Sequence, residues 1–454
     1  MQLNSLKELA GSLRAENRSL KQRVERLEEQ LRESKRQAAP FGRDKPSGKK
    51  GKPGRKAGKG NFSRREPPPE CEVKSVAVPL ERCPECGGAL RDKKSHEHFQ
   101  TDIPLPRPVH RRYVTESGYC AHCKRRFRSR HPRQTSTATG AAGVSVGPNA
   151  RAVAADMKHR LGVSYAKISE LFDTVFGLQV SPSGLCQSSQ RLAQKAEPVY
   201  EKLVEAIRGC CAVHADETGW RIGLLSAWLW VFTSRHITVY TIRQSRGHEV
   251  AVDVLGRKFK GVLHSDCFMA YDSKELADWL QQKCFAHFLH QLSKMAEEKT
   301  RGAVRFPRNV LTVLREALAL RDKKAELSPQ EFGRGLSELQ QRLDELIAEE
   351  RNFTDPDNAR FAKRLRKQRR HLFTFLTHQG AEATNNRAER AIRPAVIARK
   401  TGSCNKTHTG ARTHAILASI LTTARQRGVG IVEYLSSMAC AAHAPPSLLN
   451  RKAA

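Results

Sequence analysis

Two aspartates close short apolar stretches of this chain, Asp216 at the end of Cys211–Asp216 and Asp266 at the end of Gly261–Asp266. A glutamate follows far downstream, in Thr384-Asn385-Asn386-Arg387-Ala388-Glu389-Arg390-Ala391-Ile392-Arg393-Pro394. There Asn385 or Asn386 can cap a helix on which Glu389 faces the same way as Asn386 and Arg393. Carboxylates are hard ligands suited to Mg²⁺ or Mn²⁺, and two such ions about 3.5–4 Å apart can stabilise both the attacking and the leaving oxygen of phosphoryl transfer. On that reading Arg390 and Arg393 clamp phosphates. Acids are common on surfaces, so the claim of Asp216 rests on the matching place of Asp266. Glu217 and Asp272 are the nearest alternatives, and a register slip of one residue would turn Glu217 inward instead.

The elements that must position these acids are legible as a change of period. From Cys210 the pattern becomes strand-like over Cys211–Asp216, Ala227–Ser234 and Ile237–Ile242, followed by a helix near His248–Leu255 and a fourth strand, Gly261–Asp266. Three strands, a helix and another strand is the order of a ribonuclease H-like sheet, in which strands one and four lie side by side. His214 and His264 precede the two aspartates by two positions and share their strand face. They read as metal ligands or, preferably, as core-edge imidazoles hydrogen-bonded to backbone. His287 and His290 are open to the same two readings. Trp220, Trp228 and Trp230 could stack on bases, although the shared face of Trp228 and Trp230 favours a core role.

Charge points to the partner. Lys and Arg number 80 against 46 acids, a formal surplus of +34 in 454 residues, so a polyanion is expected and nucleic acid is the leading candidate. An anionic membrane surface is the rival. No apolar run is long enough to span a bilayer and the chain starts polar, so a membrane or secreted protein is not expected, and a reducing cytoplasm suits the irregular placing of the twelve cysteines. Leu3, Ala10, Asn17, Val24 and Leu31, with Leu6, Leu13, Leu20 and Leu27, form a heptad seam that predicts a parallel coiled-coil dimer over 1–34. Residues 35–70 read as a disordered basic linker, with Lys49, Lys50, Lys52, Arg55 and Lys56 as phosphate contacts. Cys83-Pro84-Glu85-Cys86 and Cys120-Ala121-His122-Cys123 are two knuckles able to hold one structural Zn²⁺, which defines a module over 71–133. Residues 149–205 read as helical with a helix-turn-helix outline, in which Gln187, Ser188, Gln190 and Arg191 could reach DNA. The basic run Arg364–Arg370 reads as a second DNA-backbone contact rather than a solvated face.

These residues together resemble the large transposase of the IS66-type bacterial insertion sequences. The likeness lies in His-Ala-Asp-Glu-Thr-Gly-Trp (214–220), Ser-Asp (265–266) with Ala-Tyr-Asp (270–272), Cys-Phe-Ala-His (284–287), Asn-Asn-Arg-Ala-Glu-Arg (385–390) and Arg-Lys-Thr-Gly (399–402). The order of coil, basic linker, zinc module and catalytic domain is similar too, so the resemblance covers nearly the whole chain. The sequence departs from the family's pattern at Cys267 and at Ser403-Cys404-Asn405. What the resemblance implies is a multidomain α+β DDE transposase. Asp216, Asp266 and Glu389 would be its catalytic acids, holding two Mg²⁺ or Mn²⁺ ions, and Lys400 would join Arg390 and Arg393 on DNA phosphates. The catalytic domain would span 206–430, with a helical insertion over about 295–380, and 431–454 would be a C-terminal helix and tail. Its partners would be element ends, target DNA, a second copy and accessory proteins of the same element. The competing readings are a catalytically inactive DNA-binding relic or regulator, which the intact acid trio disfavours, and a nuclease of the same fold acting on RNA or branched DNA.

Overall fold

The computed structural model describes residues 75–104, 106–138, 145–441 and 446–450. The heptad segment, the basic stretch with Lys49, Lys50, Lys52, Arg55 and Lys56, and residues 451–454 lie outside the described residues. The chain divides into two units, Met1–Pro106 and Arg107–Ala454, each described by itself. In the first unit the Cys83 N–H donates to Gly88 O (3.0 Å) and the Gly87 N–H to Cys83 O (2.9 Å), closing a knuckle in which Gly87 adopts φ +73°. The second unit opens with a hairpin, β1 (Ser117–Cys120) and β2 (Arg125–Arg128), whose turn carries the other knuckle. There the Cys123 N–H points at Cys120 Sγ, 3.4 Å away.

Three helices follow: α1 (Pro148–His159), α2 (Tyr165–Phe176) and α3 (Pro182–Arg208). Ser164 and Ser181 cap α2 and α3 by accepting backbone N–H bonds, and Gly177 ends α2 in the left-handed region. Helix α3 is longer than a recognition helix needs, because Leu192, Leu203 and Ile207 continue an apolar stripe into the main core. Gln187 and Arg191 are exposed, whereas Ser188 is buried and is removed from any base-reading role.

The sheet has five strands in the order β5-β4-β3-β6-β7. Strands β3 (Ala212–Ile222), β4 (Leu225–Thr233) and β5 (Thr238–Arg243) form an antiparallel meander, while β6 (Val262–Ser265) and β7 (Gln281–Lys283) join it in parallel. The crossover to β6 carries α4 (Glu249–Leu255), so strands one and four are neighbours as expected. Two features differ from the sequence reading. Strand β3 does not stop at Asp216 but runs on to Ile222, because Glu217 to Ile222 pair with Leu225 to Trp230 across a two-residue turn that Gly223 opens at φ +60°. Strand β7 is entirely polar, hence invisible to apolar periodicity. Its Gln281, Gln282 and Lys283 are nonetheless buried, with Gln282 bonded to Leu372 O (3.0 Å) and accepting the Phe375 N–H (2.9 Å).

One face of the sheet packs on α3, α4, α11 (His408–Gln426) and α12 (Ile431–Cys440). Helix α11 also protects the outer edge of β5: Ser419 Oγ accepts the Tyr240 N–H (2.8 Å), and Thr423 Oγ1 accepts that of Thr238 (3.0 Å). Those hydroxyls occupy backbone donors that would otherwise invite another strand. The opposite face receives α10 (Asn386–Gly402), whose Ala388, Ile392 and Ala395 lie on Leu229, Val231 and Tyr240. No described helix is long and apolar enough to cross a membrane.

Between β7 and α10 the chain forms a helical subdomain with its own core, from α5 (Phe285–Glu298), α6 (Arg305–Asp322), α7 (Pro329–Ile347) and α8 (Pro356–Gln368), completed by the short α9 (Thr374–Thr377). It begins at Phe285, earlier than the sequence suggests. The basic run at the end of α8 and in the turn after it is spent largely on internal ties, with Arg366 on Ile347 O (2.6 Å), Arg369 on Asp344 and Arg370 on Ala277 O (2.9 Å). Lys367 meets Asp272 at 2.7 Å, and the same carboxylate receives Gln368 (2.8 Å) and the fully buried Lys283 (3.0 Å). Asp272 therefore joins the subdomain to the sheet. Asp272→Ala should cost about 3–5 kcal/mol, because it strands a buried ammonium. Urea unfolding checks this against Asp278→Ala at an exposed neighbour, and equal midpoints would contradict the assigned role.

Candidate active site

The acids are gathered by strand register. Val213 and His214 of β3 pair in parallel with Leu263 and His264 of β6, and the same register carried two residues further sets Asp216 level with Asp266. Burial, and then the Glu217 carboxylate, push Asp216 up to about 7, and Asp266 and Glu389 add in the same direction. The acids therefore feel one another's charge. Glu389 lies in the first turn of α10, where the helix dipole favours an anion, and it is exposed.

Glu217 is not an idle neighbour. Its side chain is buried and raised above the ordinary range, first by burial and then by Asp266. The Tyr271 hydroxyl donates to it (3.0 Å), as does the Arg246 guanidinium (2.9 and 3.1 Å). Arg246 is itself held between the rings of Trp228 and Phe268, at 4.3 and 3.8 Å. One acid of the adjacent pair thus has a fixed counter-cation, and Asp216 is left facing Asp266.

What holds Glu389 near the aspartates is a buried polar clamp. The imidazoles of His214 and His264 stack at 4.1 Å. His264 Nε2 accepts the Glu382 N–H (2.9 Å), and His214 Nδ1 lies 3.2 Å from Asn385 Oδ1. Asn385 in turn donates from Nδ2 to Ala215 O (2.8 Å). Burial lowers both imidazoles, to about 2 and about 4, so each works as a neutral hydrogen-bonding group. Of the two readings open in the sequence, these contacts support the core-edge one. Asn385 stands at the N-cap position of α10, yet its side chain makes no cap bond, because it is engaged with β3 instead. The clamp thereby fixes where α10 begins, one turn before Glu389.

Other residues named from sequence fall as follows. Arg390, Arg393 and Lys400 are exposed along α10. Arg399, beside Lys400, points inward and bonds to Thr218 Oγ1 (3.1 Å) and to Gly219 O. Trp220 and Trp230 are core residues; Trp220 donates to Asn405 Oδ1 (3.0 Å), giving the divergent Ser403-Cys404-Asn405 segment a structural duty. His287 Nδ1 lies 3.9 Å from Glu389 Oε1, while His290 is exposed. Sequence reasoning did not find Tyr271, Arg246 or Lys283 as neighbours of the acids. The one available signal was the position of Tyr271 next to Asp272.

This mixed sheet with its flanking helices fits the α+β domain of a transposase. The transposase IS66 family matches residues 143–413, more than half of the sequence, and the chain belongs to that family. It is also similar to the uncharacterized protein y4qI of Sinorhizobium fredii (strain NBRC 101917 / NGR234), at 25% identity over 295 residues. That likeness covers 57% of this chain and 53% of the relative, so the chain spans about half the length of the curated protein it matches.

The clamp is testable apart from any activity. Asn385→Ala should orphan the buried His214 and Ala215 groups at about 1–3 kcal/mol each. Asn386→Ala, exposed next door, should stay within about 0.5 kcal/mol of wild type. Equal denaturation midpoints for the two variants would remove the clamp from the account.

Proposed function

We propose that the protein is a DNA transposase that binds the ends of an insertion sequence, cleaves a strand there and joins the freed 3′-OH to target DNA. The observation that carries this reading is the parallel register of β3 with β6, which continued past the His214–His264 pair brings Asp216 beside Asp266, with Glu389 near enough for its charge to reach Asp216. Asp216, whose proton affinity is raised by burial, by Glu217 and then by Asp266 and Glu389, forms with those last two acids an all-oxygen donor set of the kind that suits Mg²⁺ or Mn²⁺. Asp216, Asp266 and Glu389 would hold two such ions, which when bound make water a nucleophile near neutral pH and offset charge on the leaving oxygen. The sheet order supports a ribonuclease H-like domain.

The chain's own residues supply the rest. Glu217 and Arg246 neutralise each other and leave the aspartate pair for the reaction. Arg390, Arg393 and Lys400 line one exposed helix and would hold the phosphodiester backbone. Hydrolysis at the element end frees a 3′-OH, and that oxygen attacks a target phosphodiester in line and displaces a target 3′ oxygen, with no covalent enzyme intermediate. The N-terminal heptads would pair two chains, and Lys49, Lys50, Lys52, Arg55 and Lys56 would add sequence-blind phosphate contact. The reading of one structural Zn²⁺ on Cys83, Cys86, Cys120 and Cys123 rests on their spacing. Accessory proteins of the element would complete the set of partners.

The test is Mg²⁺-dependent cleavage and joining of labelled DNA carrying the terminal repeats that flank the gene. Wild type should cleave and join, and Asp216→Asn and Glu389→Gln should fall by about 10³-fold or more while still binding DNA. Cleavage that survives Asp216→Asn would overturn the site. Tight binding without cleavage by wild type would favour the non-catalytic relic.

A further inference from the structure

The exposed side of Glu389 has neighbours that the strand-transfer reading does not use. Cys284 is buried at the N-cap position of α5, and its Sγ accepts the Asn385 N–H at 3.1 Å. His287 stands three residues along, in the first turn of α5, exposed and with Nδ1 3.9 Å from Glu389 Oε1. One ligand atom each from Cys284, His287 and Glu389 lies within 4.8 Å of the other two. A tetrahedral ion with bonds of about 2.0–2.3 Å needs its ligand atoms roughly 3.3–3.8 Å apart, so at most about 1.5 Å of closure between side chains completes the set.

The donor chemistry is unlike that of the aspartate pair. A sulfur, an imidazole nitrogen and a carboxylate oxygen suit a borderline-soft dication, whereas an all-oxygen set suits Mg²⁺. Three protein ligands leave a fourth position open, the arrangement of reactive rather than purely structural zinc centres. The sulfur is fixed from inside the fold, and the two other ligands lie open to solvent, so an ion can enter without unfolding. We propose that Cys284, His287 and Glu389 form a site for a borderline-soft divalent cation of the Zn²⁺ or Co²⁺ class. If Glu389 is also the third catalytic acid, a clause that rests on the function proposed above, one carboxylate is shared between two chemically different ions. The occupant of this site then sets where the third acid points.

Cobalt alone is the probe. In the full-length chain carrying Cys83→Ser and Cys120→Ser, which silences the knuckles, Co²⁺ titration should give one equivalent with a thiolate-to-cobalt charge-transfer band and intensified tetrahedral d–d bands. Cys284→Ser should abolish the charge-transfer band. His287→Asn, a surface change that leaves the buried core intact, should keep the band but weaken binding by about 10-fold or more. Asp216→Asn should leave the band unchanged, since oxygen-only cobalt carries none. Absence of the band in the parent chain, or its survival in Cys284→Ser, would overturn the proposal. A cobalt band together with failed DNA cleavage would sink the strand-transfer reading and leave this site standing; cleavage without the band would do the reverse.

Discussion

Carboxylates repel, and a fold that collects them must supply the restraint. Here that restraint is the parallel pairing of β3 with β6, whose register continued past His264 brings Asp216 beside Asp266; burial first, then Glu217, and after it Asp266 and Glu389 raise Asp216 to about 7. The rest of the arrangement around the sheet follows from keeping that pairing rigid. Helix α11 seals the free edge of β5, the buried polar strand β7 braces the other side of β6, and the stacked His214 and His264 tie the chain before α10 to the same two strands.

A protein with a surplus of +34 thus carries an anionic cluster where its strands meet. The two facts are complementary. A basic surface attracts a polyanion over distance and is sensitive to salt, whereas a half-buried acid cluster does nothing for that attraction and instead favours cations at one place. Glu217 shows how finely the cluster is set. A carboxylate of the same charge, one residue from Asp216, is tied up instead by Arg246 and Tyr271. Asp272 is likewise committed, to Lys283 and the helical subdomain. These were the nearest rival acids in the sequence, and each is occupied elsewhere.

The three central strands, the crossover helix and the adjacency of strands one and four were legible because apolar alternation marks them directly. The extension of β3 to Ile222 was not, since Glu217, Thr218 and Gly219 break the alternation and only the partner strand reveals the pairing. Strand β7 carries no apolar residue, and its burial depends on hydrogen bonds from the distant 372–375 segment. At the site, the acids could be named from position, but the roles of His214, His264 and Asn385 could not. Their meaning lies in contacts made across more than a hundred residues, and Asn385 in particular reads locally as a helix cap.

The central claim is that the gathered acids form a cation site, and proton linkage tests it without any DNA. The folded state holds a proton on Asp216 up to about 7 that the unfolded chain has released, so the stability it contributes is full below the ordinary carboxylate range and is lost as pH rises through about 7. The buried imidazoles of His159, His214, His264, His371 and His414, all lowered, act in the opposite sense as the unfolded chain titrates near about 6.5, but they are common to wild type and Asp216→Asn, so the difference between the two proteins isolates Asp216. The measurement is thermal unfolding of chelated full-length protein between about pH 6.5 and about pH 8, with and without Mn²⁺. Relative to Asp216→Asn, wild type should lose about 0.8 kcal/mol of stability across that range and recover it with the metal. A wild type that follows Asp216→Asn in its response to both pH and Mn²⁺ would contradict the account.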